Sequence, residues 1–308
     1  MSSAVVFAYH NVGVRCLAVL LAHGVDVSLV VTHQDDPDEN VWFGSVASLA
    51  ALHHIPVVAP EVGELPALAE QMKALAPDFV FSFYYRYMLP AAIVDVASRG
   101  ALNMHGSLLP KYRGRAPVNW AVLHGETETG ASLHYMATKP DAGDLVAQQA
   151  VPILPNDTAK EVFDKVTCAA EVCLNDALPG LLDGSASRVP LDLGRGSYCG
   201  RRRPEDGRID WQRSAGEIHN LIRAVAPPYP GAFTTFHGET LKVLRSHYRG
   251  EAAKRSNNTP RLYCDDGRLY IDCCDGQRFE ALALELNETP LTAAEFESRF
   301  GAATLLGE

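Results

Sequence analysis

The sequence lacks the signatures of several common enzyme classes. It contains no GxxxxGKS/T, no GxGxxG after its first apolar run, no GxSxG and no HExxH. These absences argue against a P-loop hydrolase, a nicotinamide-dependent dehydrogenase, a serine hydrolase and a zinc protease. The seven cysteines form no CxxC pair, so neither a disulfide framework nor a zinc ribbon is indicated. We expect free thiols in a reducing compartment.

Long hydrophobic runs and positive charge are also scarce. The longest near-uniform apolar run, Cys16–Ala22, is too short to cross a bilayer, and the N-terminus lacks the basic start of a signal peptide. Lysine and arginine number 27 against 37 aspartates and glutamates, which gives a formal net charge of -10. We therefore expect a cytoplasmic protein with no membrane insertion and no nucleic-acid partner.

Strand and helix patterns alternate over the first half of the 308 residues. Apolar runs predict strands at Ala4–Tyr9, Val27–Thr32, Ile55–Val58, Asp78–Phe83 and Ala101–Met104. Helical patterns occupy Gly13–His23, Trp42–His53, Leu65–Leu75 and Ala91–Ser98. Such alternation predicts β-α-β units and an α/β fold with a mostly parallel, Rossmann-like sheet.

The second half has a different organisation. Thr158 to Glu161 fits a capping box and predicts a helix through about Leu182, and the following glycines, serines and arginines predict a linker. After a helix near Ala215–Ala224, short strand patterns dominate, at Ala232–Phe236, Leu241–Arg245, Arg261–Cys264, Arg268–Cys273 and Phe279–Leu284. We predict a catalytic domain at residues 1–190, a linker at 191–204 and a small β-rich domain at 205–308.

One segment, residues 103–117, combines polar groups with a predicted strand end. Asn103 and His105 lie two residues apart, so both side chains point to one face of the strand. Ligands of open parallel sheets bind at the carboxyl ends of strands, where an amide and a titratable imidazole would then meet. A polar strand exit followed by a solvated loop is the other interpretation of this segment.

A second segment, residues 138–144, reads as an ordinary turn but contains Asp141. A carboxylate beside His105 would raise the pKa of the imidazole and fix its orientation. Together Asn103, His105 and Asp141 suit acyl transfer to an amine, because amide and imidazolium stabilise an oxyanion while His105 and Asp141 move the proton.

Residues 103–110, with Tyr112-Arg113-Gly114, resemble the signature of the folate-dependent formyltransferases, which act on methionyl-tRNA, glycinamide ribonucleotide or sugar nucleotides. Further segments resemble the ArnA-type branch of the family. They are residues 7–10, 32–33, 43–47, 81–86, 124–130, 223–226 and 230–233. The similarity covers residues 4–250 and fades toward the C-terminus.

The resemblance implies a catalytic domain followed by a barrel similar to an OB fold. It implies N10-formyltetrahydrofolate as co-substrate, no metal, and UDP-4-amino-4-deoxy-L-arabinose as acceptor, in the lipid A modification that confers polymyxin resistance. By the same resemblance His105 is the catalytic acid/base, Asn103 stabilises the transition state and Asp141 raises the pKa of His105. The implied folate-binding residues are Tyr87, Met88, Leu89, Arg115, Ala137, Thr138, Lys139, Pro140 and Asp141.

ArnA-type proteins usually carry a second, decarboxylating half. This chain ends at Glu308 without a dinucleotide fingerprint, so we expect it to formylate only. The sequence leaves open whether the protein forms a homo-oligomer.

The alternative acceptors are another 4-amino sugar nucleotide, such as a dTDP-linked one, and methionyl-tRNA, which the acidic residues 34–40 disfavour. An oxidoreductase and a non-catalytic module are the alternatives of another class. Arg113, Arg202 and Arg203 are candidates for binding a diphosphate.

Overall fold

Two seven-stranded sheets organise the chain, whose computed structural model describes residues 2–37, 39–254 and 259–306. The chain divides into two compact units. The first contains the described residues of Met1–Pro117, Thr129–Val151 and Asp164–Gly200. The second contains the described residues of Val118–Glu128, Pro152–Phe163 and Arg201–Glu308.

The first sheet has the strand order β3-β2-β1-β4-β5-β7-β8. Its first five strands are parallel, and β7 runs antiparallel to β5. The strands up to residue 200 are β1 (Ser3–Ala8), β2 (Asp26–Val31), β3 (Val57–Val58), β4 (Phe79–Phe83), β5 (Gly100–His105), β6 (Arg113–Gly114), β7 (Glu128–Tyr135), β8 (Leu145–Pro152) and β9 (Tyr198–Cys199). The predicted mostly parallel sheet is confirmed.

The central strands of this sheet are apolar throughout, which is typical of a sheet that helices cover on both faces. Every residue of β4 is buried, as expected of a strand that is packed on both faces. The helices of the first unit are α1 (His10–Ala22), α2 (Val46–Leu52), α3 (Leu65–Leu75) and α4 (Ala91–Val94). The helix α6 (Ala159–Asp183) belongs to this unit from Asp164 on, and α5 (Pro117–Leu123) belongs to the second unit from Val118 on. Leu68 and Met72 of α3 pack into the same core as Val5 and Phe7 of β1. This packing holds the strand ends in fixed positions.

The second sheet is antiparallel, with the order β10-β11-β14-β13-β12-β16 and β15 paired to β14. Its strands are β10 (Ala232–Phe236), β11 (Glu239–Ala252), β12 (Arg261–Asp265), β13 (Arg268–Asp272), β14 (Gln277–Leu286), β15 (Thr289–Pro290) and β16 (Ala303–Leu305), and its helices are α7 (Ala215–Val225) and α8 (Ala293–Phe300). Ile218 and Ile222 of α7 pack with Phe279 of β14 in one core. The predicted β-rich C-terminal part is confirmed.

Several element boundaries differ from the predictions. The helix predicted at Trp42–His53 begins only at Val46, because the Ser45 hydroxyl caps it by accepting the Ser48 N–H at 3.2 Å. The helix predicted at Ala91–Ser98 ends at Val94, since the N–H of Ser98 instead donates to the Pro77 carbonyl at 3.1 Å.

Residues 191–204, predicted as a linker, contain the short strand β9, which pairs in parallel with β6. A two-residue strand is too short to show a periodic pattern in the sequence.

In the part of the chain that the structure describes, no helix is both long and apolar enough to cross a membrane.

Candidate active site

His105 is the last residue of β5 and is only 6% exposed. One ring nitrogen, Nε2, lies 2.8 Å from the carbonyl oxygen of Tyr112, and the other, Nδ1, lies 3.5 Å from Oδ1 of Asp141. A carbonyl oxygen only accepts hydrogen bonds, so Nε2 carries a hydrogen. A neutral His105 therefore presents its lone pair at Nδ1, on the side of Asp141.

Asp141 brings the predicted residues together. Its Oδ2 accepts the Gly114 N–H at 2.9 Å, and its Oδ1 accepts a hydrogen bond from Nδ2 of Asn103 at 3.4 Å. The same Oδ1 lies 3.5 Å from both His105 Nδ1 and His134 Nε2. One carboxylate thus contacts both predicted catalytic side chains, and we call Asn103, His105, His134 and Asp141 the polar tetrad.

Burial and charge act in opposite directions in the tetrad. Burial would raise the pKa of Asp141, but His105, His134 and the Gly114 N–H outweigh it and lower that pKa to about 2. Burial lowers the pKa of His105 below its ordinary value, although Asp141 acts to raise it. Asp141 therefore acts in the expected direction, but the net shift is downward because His105 is almost fully buried. The resting pair is a carboxylate beside a neutral imidazole.

His134 is the member of the tetrad that the sequence analysis missed. It lies in β7 directly opposite Asn103 in the antiparallel ladder and is 1% exposed. Its Nε2 lies 3.2 Å from Asn103 Nδ2, and its Nδ1 lies 2.8 Å from the carbonyl oxygen of Tyr135. The available signal was alternation, because the polar Ser132 and His134 alternate with the apolar Ala131 and Leu133.

Two residues that hold His105 have a left-handed backbone. Tyr112 has φ 56° and Asp141 has φ 49°, although neither is glycine. Such conformations cost on the order of 1–3 kcal/mol each and persist where the surrounding structure fixes them. Here the fixing contacts include the Tyr112 N–H, which donates to the Ser197 hydroxyl at 2.8 Å. Both residues lie in turns that contact His105.

The implied folate-binding residues lie on three segments, which follow β4, β6 and β7. Tyr87 and Leu89 are partly buried and pack against the core of the first unit, whereas Met88 is 63% exposed. Arg115 is exposed, and its N–H donates to the Cys199 carbonyl oxygen at 3.0 Å. Before Asp141, the half-buried Pro140 follows three exposed residues, which are Ala137, Thr138 and Lys139.

The three diphosphate candidates have different surroundings. Arg113 is buried, and its Nε and Nη1 have no hydrogen-bond partner among the described residues. Arg202 and Arg203 belong to the other unit. Arg202 lies over the Trp120 ring, 5.0 Å from its centre, and donates from Nη2 to the Asp206 carbonyl oxygen at 3.0 Å, while Arg203 is exposed. The structure does not bring the three together within one unit.

Aromatic side chains gather where β1, β2 and β4 end. Tyr9 meets the rings of His33 and Phe43 edge-on at 5.1 and 5.0 Å between ring centres. Burial lowers the pKa of His33 to about 4. The Tyr84 hydroxyl lies so close to Gly106 that a Cβ there would stand 2.0 Å from it. The cluster therefore borders the residue that follows His105.

The acidic residues 34–40 are partly tied to this cluster. Asp35 accepts the Tyr9 hydroxyl at 2.7 Å, and Glu39 accepts both terminal nitrogens of Arg86 at 2.6 and 2.8 Å. Asp38 lies outside the described residues. These carboxylates are held by partners within the chain, and they make this loop unlike a basic, phosphate-binding loop.

The sequence matches two known families. Residues 16–178 match the formyl transferase family, and residues 202–300 match the formyl transferase C-terminal domain.

Solved structures with a similar fold include several formyltransferases. An N-formyltransferase from Helicobacter canadensis, in complex with folinic acid and dTDP-3-aminofucose, has a TM-score of 0.74 at 21% identity and covers 91% of this chain and 99% of its own. WlaRD, a sugar 3N-formyl transferase solved with dTDP and 5-N-formyl-THF, has a TM-score of 0.69 at 20% identity, covering 91% and 97%. HypX from Aquifex aeolicus with tetrahydrofolic acid has a TM-score of 0.64 at 18% identity, covering 96% of this chain and 47% of its own. At these identities the similarity shows the fold.

Proposed function

The chain belongs to the formyl transferase family, and from this premise we propose that it formylates the 4-amino group of a nucleotide-linked amino sugar, UDP-4-amino-4-deoxy-L-arabinose. As a member of this family it is a folate-dependent N-formyltransferase, and 10-formyltetrahydrofolate is its co-substrate. The observation that carries the proposed chemistry is the contact of Asp141 Oδ1 with both Asn103 and His105 at the end of β5.

The reaction needs one proton to move from the amine to the folate. The amine nitrogen bonds to the formyl carbon, the bond from that carbon to N10 breaks, and N10 takes up one hydrogen in place of the formyl group. His105 suits this transfer because its lowered pKa keeps it neutral near pH 7, with the lone pair at Nδ1. When Nδ1 takes the proton, the carboxylate of Asp141 stabilises the imidazolium from 3.5 Å. The neutral product amide and tetrahydrofolate follow.

The residues present fit a folate. Residues 87–89 follow β4, whose carboxyl end lies beside that of β5, and residues 137–140 lead into Asp141, which contacts His105. The exposed Arg115 side chain lies one residue beyond the Gly114 N–H that binds Asp141. Bound there, the folate supplies the formyl carbon and the N10 leaving group. We propose Tyr87–Leu89, Arg115 and Ala137–Asp141 as its binding residues.

The choice of a sugar nucleotide rests on sequence and charge. The motif segments of this chain resemble the ArnA-type branch, and two of the similar folds are described as complexes of amino-sugar formyltransferases with dTDP ligands. The net charge of -10 and the acidic residues 34–40 disfavour tRNA, because phosphate binding needs basic surface. A dTDP-linked amino sugar is the second candidate, and its support is those two relatives.

An acceptor comparison tests the proposal. Purified protein and 10-formyltetrahydrofolate are incubated separately with UDP-4-amino-4-deoxy-L-arabinose, with dTDP-3-aminofucose and with methionyl-tRNA. The mass of each product is then measured by mass spectrometry. A formyl mass gain on the UDP sugar alone is the expected result. A gain on another acceptor alone would overturn the choice of acceptor, and transfer to none of them would overturn the amino-sugar proposal.

A further inference from the structure

The short strand β6 and the residue before it supply two main-chain groups that hold His105 and Asp141. The Tyr112 carbonyl oxygen, directly before β6, accepts a hydrogen bond from His105 Nε2 at 2.8 Å. The Gly114 N–H, at the end of β6, donates to Asp141 Oδ2 at 2.9 Å. One edge of this strand therefore binds the two side chains that the proposed proton transfer needs.

The opposite edge of β6 is bound by residues 196–199, which we call the strap and which belong to the same unit. The carbonyl oxygens of Ser197 and Cys199 accept N–H groups from β6 and from the residue after it, at 3.1 and 3.0 Å. The Ser197 hydroxyl also accepts the Tyr112 N–H at 2.8 Å. Among the described residues β6 pairs only with β9 of the strap. Because a strand needs partners for its main-chain groups, the position of β6 depends on the strap.

We propose that the strap, through Ser197, is a positioning element for formyl transfer, which holds β6 against His105 and Asp141. This inference rests on the proposed function. The Tyr112 carbonyl fixes the hydrogen of the neutral imidazole at Nε2, so the lone pair lies at Nδ1, beside Asp141. If β6 moves away, the hydrogen is able to occupy Nδ1 instead. Nδ1 is then unable to take up the proton of the attacking amine.

The fit between the strap and the loop before β6 is close. A Cβ on Gly196 would overlap the Pro110 carbonyl oxygen, which also accepts the Ser197 N–H at 3.3 Å. The strap touches this loop with main-chain atoms, and Ser197 itself is exposed. A substitution here changes the position of β6 without replacing a member of the polar tetrad.

Two glycine substitutions test the role of this fit. In Gly196→Ala the new methyl group must push the strap away from Pro110, whereas in Gly200→Ala it meets nothing within 4 Å. We expect G196A to lose on the order of 100-fold in kcat with little change in KM for the amino sugar, and G200A to keep the wild-type kcat. Thermal denaturation checks that both variants fold. Equal kcat in two folded variants would contradict the proposal.

A second pair of variants keeps the test decisive where G196A does not fold. Ser197→Ala removes the acceptor of the Tyr112 N–H, and Ser197→Thr keeps a hydroxyl at that place. We expect S197A to lower kcat by about tenfold and S197T to restore most of it. An S197A protein with the wild-type kcat, or an S197T protein as slow as S197A, would overturn the inference.

The tautomer of His105 gives a readout that needs no acceptor and that a loss of stability alone does not change. Nitrogen-15 NMR distinguishes the Nδ1–H and Nε2–H forms, and the signal missing in His105→Gln identifies His105. At about pH 7.5 we expect the Nε2–H form in the wild type and in G200A, and a larger share of the Nδ1–H form in S197A and G196A. The Nε2–H form alone in these folded strap variants would contradict the proposal. If no sugar nucleotide is formylated while the tautomer changes, the proposed function fails and the effect of the strap on His105 stands.

Discussion

A single carboxylate organises the candidate site at the scale of residues. Asp141 contacts Asn103, His105, His134 and the Gly114 N–H. His105, His134 and the Gly114 N–H lower its pKa to about 2 against the effect of burial. Removing its charge would leave two imidazoles without a counter-ion for the proton that the reaction moves. The sequence placed Asp141 in an ordinary turn, and the family resemblance singled it out. The structure adds the contacts with Asn103, His105 and His134.

Asp141→Asn is expected to lower kcat for formyl transfer by about 100-fold or more while the protein stays folded. The amide of the variant can still accept the Gly114 N–H, but it does not stabilise a protonated His105. Asp144→Asn is the matched control, since the Asp144 side chain has no hydrogen bond or ion pair among the described residues. Steady-state kinetics with a saturating amino sugar measures both variants. Equal activity of the two would refute the assigned role of Asp141.

At the scale of elements, the connection between β7 and β8 leaves no room for a side chain at Gly143. A Cβ on Gly143 would lie 2.0 Å from the carbonyl oxygen of Tyr135, a main-chain atom that is unable to move aside as a side chain would. The same carbonyl group belongs to the residue whose oxygen binds His134. The glycine therefore sets the distance between the Asp141 loop and β7.

Gly143→Ala is expected to destabilise the protein by roughly 1–3 kcal/mol and to reduce formyl transfer, because the Asp141 loop must shift. Gly63→Ala is the control, since a Cβ at Gly63 meets nothing within 4 Å. Thermal denaturation and kcat, measured on both variants, test the expected losses of stability and activity. A G143A protein as stable and as active as G63A would show that the loop adapts freely.

The long helix α6 begins with the capping box that the sequence predicts. The Glu161 carboxylate accepts the Thr158 N–H at 2.7 Å, and the Thr158 hydroxyl accepts the Glu161 N–H at 3.3 Å. Thr158→Ala is expected to cost about 1 kcal/mol of unfolding free energy, whereas Thr158→Ser keeps the hydroxyl and most of the stability. Urea denaturation compares the two. A serine variant as unstable as the alanine variant would mean that the methyl group, not the cap, matters.

At the scale of the whole molecule, buried histidines make stability depend on pH. Burial lowers the pKa of His33 and of His219 to about 4 and also lowers that of His105. Between the ordinary value of 6.5 and these lower values, the unfolded chain binds more protons than the folded chain. The stability that these groups contribute is present above about pH 6.5 and is lost as the pH falls toward 4.

We expect the midpoint of thermal unfolding to fall when the pH is lowered from about 7.5 to about 5. His219 hydrogen-bonds to the Ser246 hydroxyl at 2.8 Å and to the Pro155 carbonyl at 3.0 Å, so His219→Gln lowers stability at both pH values. Because glutamine does not titrate, the drop between the two pH values should be smaller in H219Q. A drop of the same size in variant and wild type would remove His219 from this explanation.

Long elements were predictable from sequence, and short ones were not. The helix α3 at Leu65–Leu75 and the strand β10 at Ala232–Phe236 have the predicted bounds, because each carries a full repeat of apolar residues between turn residues. The strands β6 and β9 have two residues each and exist only because they pair with one another. His134 escaped notice for a similar reason, since its partner Asn103 lies 31 residues away in the chain.

The sequence by itself determined the alternation of strands and helices over the first hundred residues, the family, and the pairing of Asn103 with His105 on one strand face, because these depend on periodicity and on local motifs. Only the tertiary structure decided that His134 joins them, that one oxygen of Asp141 contacts all three side chains, and that burial keeps the pKa of His105 low. Those properties arise from desolvation and from hydrogen bonds between distant segments, and such contacts form only when the sheet is assembled.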